Sequence, residues 1–160
     1  MVSNGRQSFL KALMPKLYFE DISVGLTWYV GEYLVKADEI ISFAKVWDPY
    51  PFHVDVALAD KSVFGGLTAS SCHTVAICTR LFHRLENPPV ILAMLGKDRL
   101  RFPNPVRPND RLAYQSECVE VRKSSSKKNR GIINVRDKLL NQRKEAVLTQ
   151  EVSLLIAGKS

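Results

Sequence analysis

Cysteine, acidic residues and long apolar runs are all scarce in this chain, and each scarcity narrows what it can be. Only 3 of its 160 residues are cysteine, at Cys72, Cys78 and Cys118. None forms a C-x-x-C and three cannot all pair. That argues against a disulfide scaffold or a zinc ribbon and for a reducing, cytoplasmic setting. No window of about 18 uncharged apolar residues occurs, so no transmembrane helix is expected. Acids are outnumbered, 16 Asp+Glu against 23 Lys+Arg, for a formal net charge of +7. A basic surplus admits nucleic acid, anionic lipid or a phosphorylated small molecule as partner. No internal repeat and no low-complexity linker divides the chain. With 46% hydrophobic and 24% charged residues it reads as one globular domain, not a disordered chain. Residues 1–16 are expected to be a flexible N-terminal tail before a domain at 17–160. Lys11 breaks the apolar run there, so a secretory signal is not expected; a weak amphipathic presequence is the alternative.

What is present has a clear order. Leu26 to Val35 is rich in Trp, Tyr and Val and reads as a strand. Ala37 to Trp47 places Ile40, Ile41, Phe43, Ala44 and Trp47 at helical spacing, with Asp38 and Glu39 at the positive end. Gly65-Gly66 precedes a longer helical segment, Thr68 to Leu85, with Leu67, Ser71, Val75, Cys78, Phe82 and Leu85 on one face. Its middle is apolar all round, which predicts burial. After Pro88-Pro89 the helical period stops, and strands are predicted over 90–102, 111–123, 131–141 and 146–156. In the third, Ile133, Val135 and Asp137 alternate against Ile132, Asn134 and Arg136. Short turns join these strands, so the sheet is antiparallel and the fold class is α+β, with the sheet wrapped around the long helix.

The stretch Trp47-Asp48-Pro49-Tyr50-Pro51-Phe52-His53 carries the chemistry. Each proline fixes its own φ and favours an extended residue before it, so Asp48 and Tyr50 should be extended in a stiff loop. Such a loop holds a carboxylate and an imidazole at a set separation, which suits acid/base work. The same residues also fit a helix stop and a structural histidine. His73 and His83 lie ten apart, about 80° apart around a helix, and make no metal pair. No metal is expected, and the three cysteines read as core.

The chain resembles the MaoC-like dehydratases, the (R)-specific enoyl-CoA hydratase branch of the hot-dog fold. That family's motif is an aromatic residue, then G-D-x-N-P-x-H, then Ala or Ser six positions on. Here Phe43, Asp48, Pro51, His53 and Ala59 stand at those places. The segments from Phe64 to Ser70 and from Arg101 to Asp110 resemble two more family stretches, so the likeness spans roughly residues 18–157. Trp47 stands where the family has Gly, Tyr50 where it has Asn, and Ser71 where a Gly is usual.

The resemblance implies water addition to a trans-2-enoyl-CoA, giving (R)-3-hydroxyacyl-CoA, or the reverse, as in fatty acid metabolism, with no cofactor. Asp48 and His53 would be the catalytic pair. If Thr68 caps the long helix, the N–H groups of Ala69, Ser70 and Ser71 are free for the thioester oxyanion, with Ser71 the family's donor position. Ser70, Thr79 and Tyr50 would also face substrate, and Trp47 and Tyr50 would narrow the pocket or fill it. The basic residues of 97–144 would receive CoA phosphates or discourage edge pairing. The alternatives are a hot-dog acyl-CoA thioesterase and a non-catalytic acyl-CoA-binding protein. Thioesterases of this fold usually place a carboxylate on the long helix, and Thr68 to Leu85 has none. Recognised nucleic-acid motifs are absent, no membrane partner is expected, and a homodimer, or a higher homo-oligomer, is.

Overall fold

Burial alternates with period two along the last three strands, and that alternation builds the sheet. Leu112, Tyr114, Ser116 and Cys118 face inward from one; Gly131, Ile133, Val135, Asp137 and Leu139 from the next; Leu148, Gln150, Val152, Leu154 and Ile156 from the third. The computed structural model describes residues 16–125, 127 and 129–159, so the tail expected at 1–16 lies, up to residue 15, outside the described residues. Its elements are β1 (Thr27–Leu34), α1 (Ala37–Trp47), α2 (Pro51–Val54), α3 (Val56–Asp60), α4 (Ser71–Phe82), β2 (Ile91–Arg101), β3 (Arg111–Lys123), β4 (Arg130–Leu140) and β5 (Ala146–Ala157). The strands form one antiparallel sheet in the order β1-β3-β4-β5-β2.

The inner face of the sheet receives α4, which packs against β1, β3 and β5. The helix turns His73, Thr74, Ile77, Cys78 and Leu81 inward. Burying Ile77 and Leu81 contributes roughly 1.5–3 kcal/mol each. Of the stripe expected from the sequence, Leu67, Cys78 and Leu85 are buried, Val75 and Phe82 are partly buried against the core, and Ser71 is exposed. Cys78 and Cys118 are core residues as expected, whereas Cys72 is exposed. Gly131 has a packing role, because a Cβ there would lie 2.1 Å from the Phe19 ring. Phe19, in a 3-10 turn ahead of β1, uses that gap to rest on β4.

The helix boundaries differ from expectation for a local reason. Leu67 to Ser70 is buried but not helical. Its backbone is engaged elsewhere: Thr68 N–H donates to Phe52 O and Ala69 N–H to Val106 O. Ser70, with φ −65° and ψ 157°, is the N-cap, its Oγ accepting the His73 N–H at 3.1 Å. So α4 starts at Ser71 and not Thr68. It ends at Phe82, and two tight turns carry the chain to the buried Leu85.

Candidate active site

Asp48 ends α1, and its N–H still donates to Ala44 O at 2.9 Å. Tyr50 is extended as expected, whereas Asp48, with ψ 70°, is not, because its N–H still closes the last turn of α1; Pro51 then occupies the first position of α2, where its missing N–H costs nothing. The segment to His53 is thus not an open loop throughout. One helical turn, Pro51–Val54, carries His53 and sets its direction. Asp55 closes that turn and caps α3, its Oδ1 accepting the Leu58 N–H at 2.9 Å.

His53 is buried, with Nδ1 2.6 Å from Thr68 O. A carbonyl oxygen only accepts, so Nδ1 carries the hydrogen and the neutral ring presents its lone pair at Nε2. Asp48 Oδ2 stands 3.8 Å from that Nε2. This is too long for a direct hydrogen bond and leaves two neighbouring acceptors that do not bond each other. Phe52 packs edge-on against the imidazole at 4.5 Å and Phe64 packs on Phe52, so the ring's orientation is held by aromatic contacts.

His53 opens on a cleft of about 340 Å³ that also touches Ser71, Thr74, Phe102, Asn104 and Val147. Ser71 is the first residue of α4, so its N–H has no partner within the helix and lies at the positive end of the dipole. The structure thus brings His53 and Ser71 to one cleft, with Asp48 beside His53. It places the other expected substrate contacts elsewhere. Ser70 is fully buried and holds the helix start. The Ala69 N–H is already engaged. Thr79 donates to Val75 O and lines a second cavity further along α4. Tyr50 and Trp47 are 61% and 70% exposed, and neither lines the cleft; Tyr50 stacks on Phe52.

A second titratable cluster lies behind the site. His73 Nε2 is 3.3 Å from Glu39 Oε1, the Phe43 ring stacks on its imidazole at 4.5 Å, and the Tyr33 hydroxyl donates to Glu39. Reading His73 only as half of a failed metal pair misses this; Glu39 in the first turn of α1 was the available signal. Burial pushes the His73 pKa below its usual 6.5, partly opposed by Glu39. Burial and the Glu39 bond push the Tyr33 phenol up to about 12. With the folded pKa of His73 depressed, the unfolded chain takes the proton first as pH falls, so stability is lost just below about pH 6.5. The urea midpoint should fall between pH 7.5 and 5.5, and His73→Leu should flatten that slope. An equally steep slope in the variant would exclude His73 as its source.

A long helix wrapped by a five-stranded antiparallel sheet defines a hot-dog domain, with a candidate site where His53 and the start of α4 share a cleft. A family model for the MaoC like domain matches residues 25–138, and the chain belongs to that family of MaoC-like dehydratases. It is 32% identical to the uncharacterized protein YdeM of Bacillus subtilis over 141 residues, covering 86% of this chain and 96% of YdeM. It is 29% identical to a 3-hydroxybutyryl-CoA dehydratase of Methylorubrum extorquens over 107 residues, 66% of each chain. The crystal structure of a MaoC-like dehydratase from Rhodospirillum rubrum superposes with TM-score 0.84 at 34% identity, covering 90% of this chain and 99% of that one.

Proposed function

We propose that the protein is an (R)-specific hydratase or dehydratase acting on an acyl-CoA thioester, with Asp48 and His53 as its acid/base pair. The observation that carries this reading is the pair of acceptors, Asp48 Oδ2 and His53 Nε2, 3.8 Å apart, with His53 lining the same cleft as Ser71, whose N–H has no partner within α4. A water between them donates one hydrogen to each. The pair takes a proton from that water as its oxygen bonds to Cβ. Charge moves onto the thioester oxygen, and the Ser71 N–H stabilises it there. A proton from the pair then closes the enolate at Cα, and the reverse sequence expels water. The proton that the pair takes from water is the one it returns to Cα, so the scheme balances and needs no redox step.

The similarity to a 3-hydroxybutyryl-CoA dehydratase supports a CoA thioester as substrate. The basic surplus of residues 97–144, 14 Lys+Arg against 5 Asp+Glu, suits its phosphates. Some of that surplus is already paired: Arg99 and Arg136 with Glu151, Arg111 with Glu32, and Arg143 with Glu145. The free thiols suit a reducing compartment, and the cytoplasm is the location this reading assigns. A screen of short, medium and branched trans-2-enoyl-CoAs, with free CoA followed in parallel, tests the activity. Loss of the enoyl thioester without CoA release supports it; CoA release alone would favour a thioesterase.

The assembly follows from the sheet. Strands β1 and β2 are its outer members. On β2, Leu92, Met94 and Leu95 are each about half exposed, at 49%, 54% and 52%. An unpaired apolar edge is a liability that a second copy removes. Light scattering at micromolar concentration should give twice the 18.1 kDa of one chain, or a higher multiple. A stable monomer would contradict this.

A further inference from the structure

A second cavity, of about 360 Å³, opens beside the last turns of α4. Phe82, Ile91, Met94, Val135, Val152 and Leu154 make its walls apolar. On the sheet side they meet a buried polar group. Ser116, Asp137 and Gln150 stand directly opposite one another on β3, β4 and β5. Asp137 Oδ1 accepts from the Tyr114 hydroxyl at 2.7 Å, and Oδ2 accepts from Gln150 Nε2 at 2.8 Å. Because the carboxylate needs a donor, the Gln150 amide is fixed with its nitrogen toward Asp137. That leaves Gln150 Oε1 as a buried acceptor with no hydrogen-bond partner, on a residue only 3% exposed. A network that merely tied the strands together would have no use for an open acceptor, since the backbone ladder already pairs β4 with β5.

The cavity and the cleft at His53 lie along the same three parts of the fold. Both are lined by α4, by β5 and by β2 or the residues just after it: Ser71, Val147 and Phe102 at the cleft, Cys78, Gln150 and Lys97 at the cavity. Seven residues of α4 separate Ser71 from Cys78, about 10 Å along the axis. An acyl chain whose carbonyl meets the Ser71 N–H and which follows α4 over that distance brings its far end to Gln150.

We infer that this cavity receives the distal end of the acyl group, and that Gln150, oriented by Asp137, selects chains bearing a hydroxyl there over plain alkyl chains. The inference rests on the acyl-thioester reading above. The chemistry of the lining picks the hydroxyl. A carboxylate would find a cation in Lys97, but at Gln150 Oε1 and Asp137 it brings only acceptors. An ammonium meets Lys97, which also lines the cavity. A hydroxyl is neutral and donates to the open oxygen, while an alkyl end leaves that oxygen unpaired.

The test uses saturated butanoyl-, hexanoyl- and octanoyl-CoA, each with and without a terminal hydroxyl, bound calorimetrically so that no turnover is needed. At the length that reaches Gln150, the hydroxylated thioester should bind the wild-type protein at least about tenfold more tightly. Gln150→Met, which keeps the volume, should erase the difference. Plain chains binding wild type as tightly at every length would overturn the inference, as would a preference that survives in a folded Gln150→Met. Should that variant not fold, the wild-type pairs decide alone. Water addition to the matching trans-2-enoyl thioesters is followed alongside. Discrimination without turnover would overturn the hydratase reading and leave Gln150 as the selector; turnover without discrimination would overturn the inference alone. If no acyl-CoA binds, both fall.

Discussion

Replacing Asp48 with Asn, or His53 with Ala, should each lower kcat by at least about a hundredfold while the protein stays folded. General acid or base assistance is worth roughly 10²- to 10⁴-fold. Asp48→Asn keeps an acceptor oxygen but cannot take a proton from the water, and His53→Ala removes the other acceptor, so neither survivor works alone. The double variant should therefore be little worse than the poorer single one. His53→Ala also leaves the Thr68 carbonyl unpaired, so its circular dichroism must be checked before its rate is read. Asp55→Asn is the matched control: two residues further on, that carboxylate caps α3, and an Asn oxygen can still accept the Leu58 N–H. Near-native turnover by Asp48→Asn, or a greater loss in Asp55→Asn, would remove the pair from the mechanism.

The second large effect is expected from a single backbone hydrogen. Ser71→Pro deletes the N–H assigned to the thioester oxyanion. The fold should tolerate the change, because Ser71 is the first residue of α4, where proline is favoured. Ser70 before it already has φ −65° and ψ 157°, the extended shape that a following proline requires. Loss of one oxyanion donor costs about 10²- to 10³-fold in kcat. Ser71→Gly and Ser71→Ala keep the N–H and should retain most activity. Equal losses in all three would locate the effect in the side chain. No loss in a folded Ser71→Pro would place the oxyanion elsewhere.

Local signals made most of the fold legible. Helix α1 runs over the span that the 3.6-residue period marks, with Asp38 and Glu39 in its first turn. Strand β3 runs from Arg111 to Lys123 as read from the sequence; β2 is one residue shorter at each end, β4 is shifted by one at both ends, and β5 is one residue longer at its end. Two kinds of feature were not legible. One depends on contacts distant in sequence. Thr68 and Ser70 are equally good caps by residue type; Phe52 and Val106 take the N–H groups of Thr68 and Ala69 and so settle the start of α4 at Ser71. The short helices around His53 are of this kind too, being a few residues long with no period to read. The other kind is a buried polar group whose meaning lies across strands. The alternation of β4 already put Asp137 on the side of Ile133 and Val135. Only register shows that Gln150 and Ser116 stand opposite it. In the proposed acid/base pair, spacing and resemblance singled out Asp48 and His53, and the carbonyl of Thr68 then fixed which imidazole nitrogen faces Asp48.

The most direct measurement is the identity of the product formed from crotonyl-CoA, resolved by chirality, with free CoA assayed in the same reaction. The account predicts (R)-3-hydroxybutyryl-CoA, formed without CoA release and abolished in Asp48→Asn. The (S) product, free CoA as the main product, or unchanged formation by Asp48→Asn would contradict it.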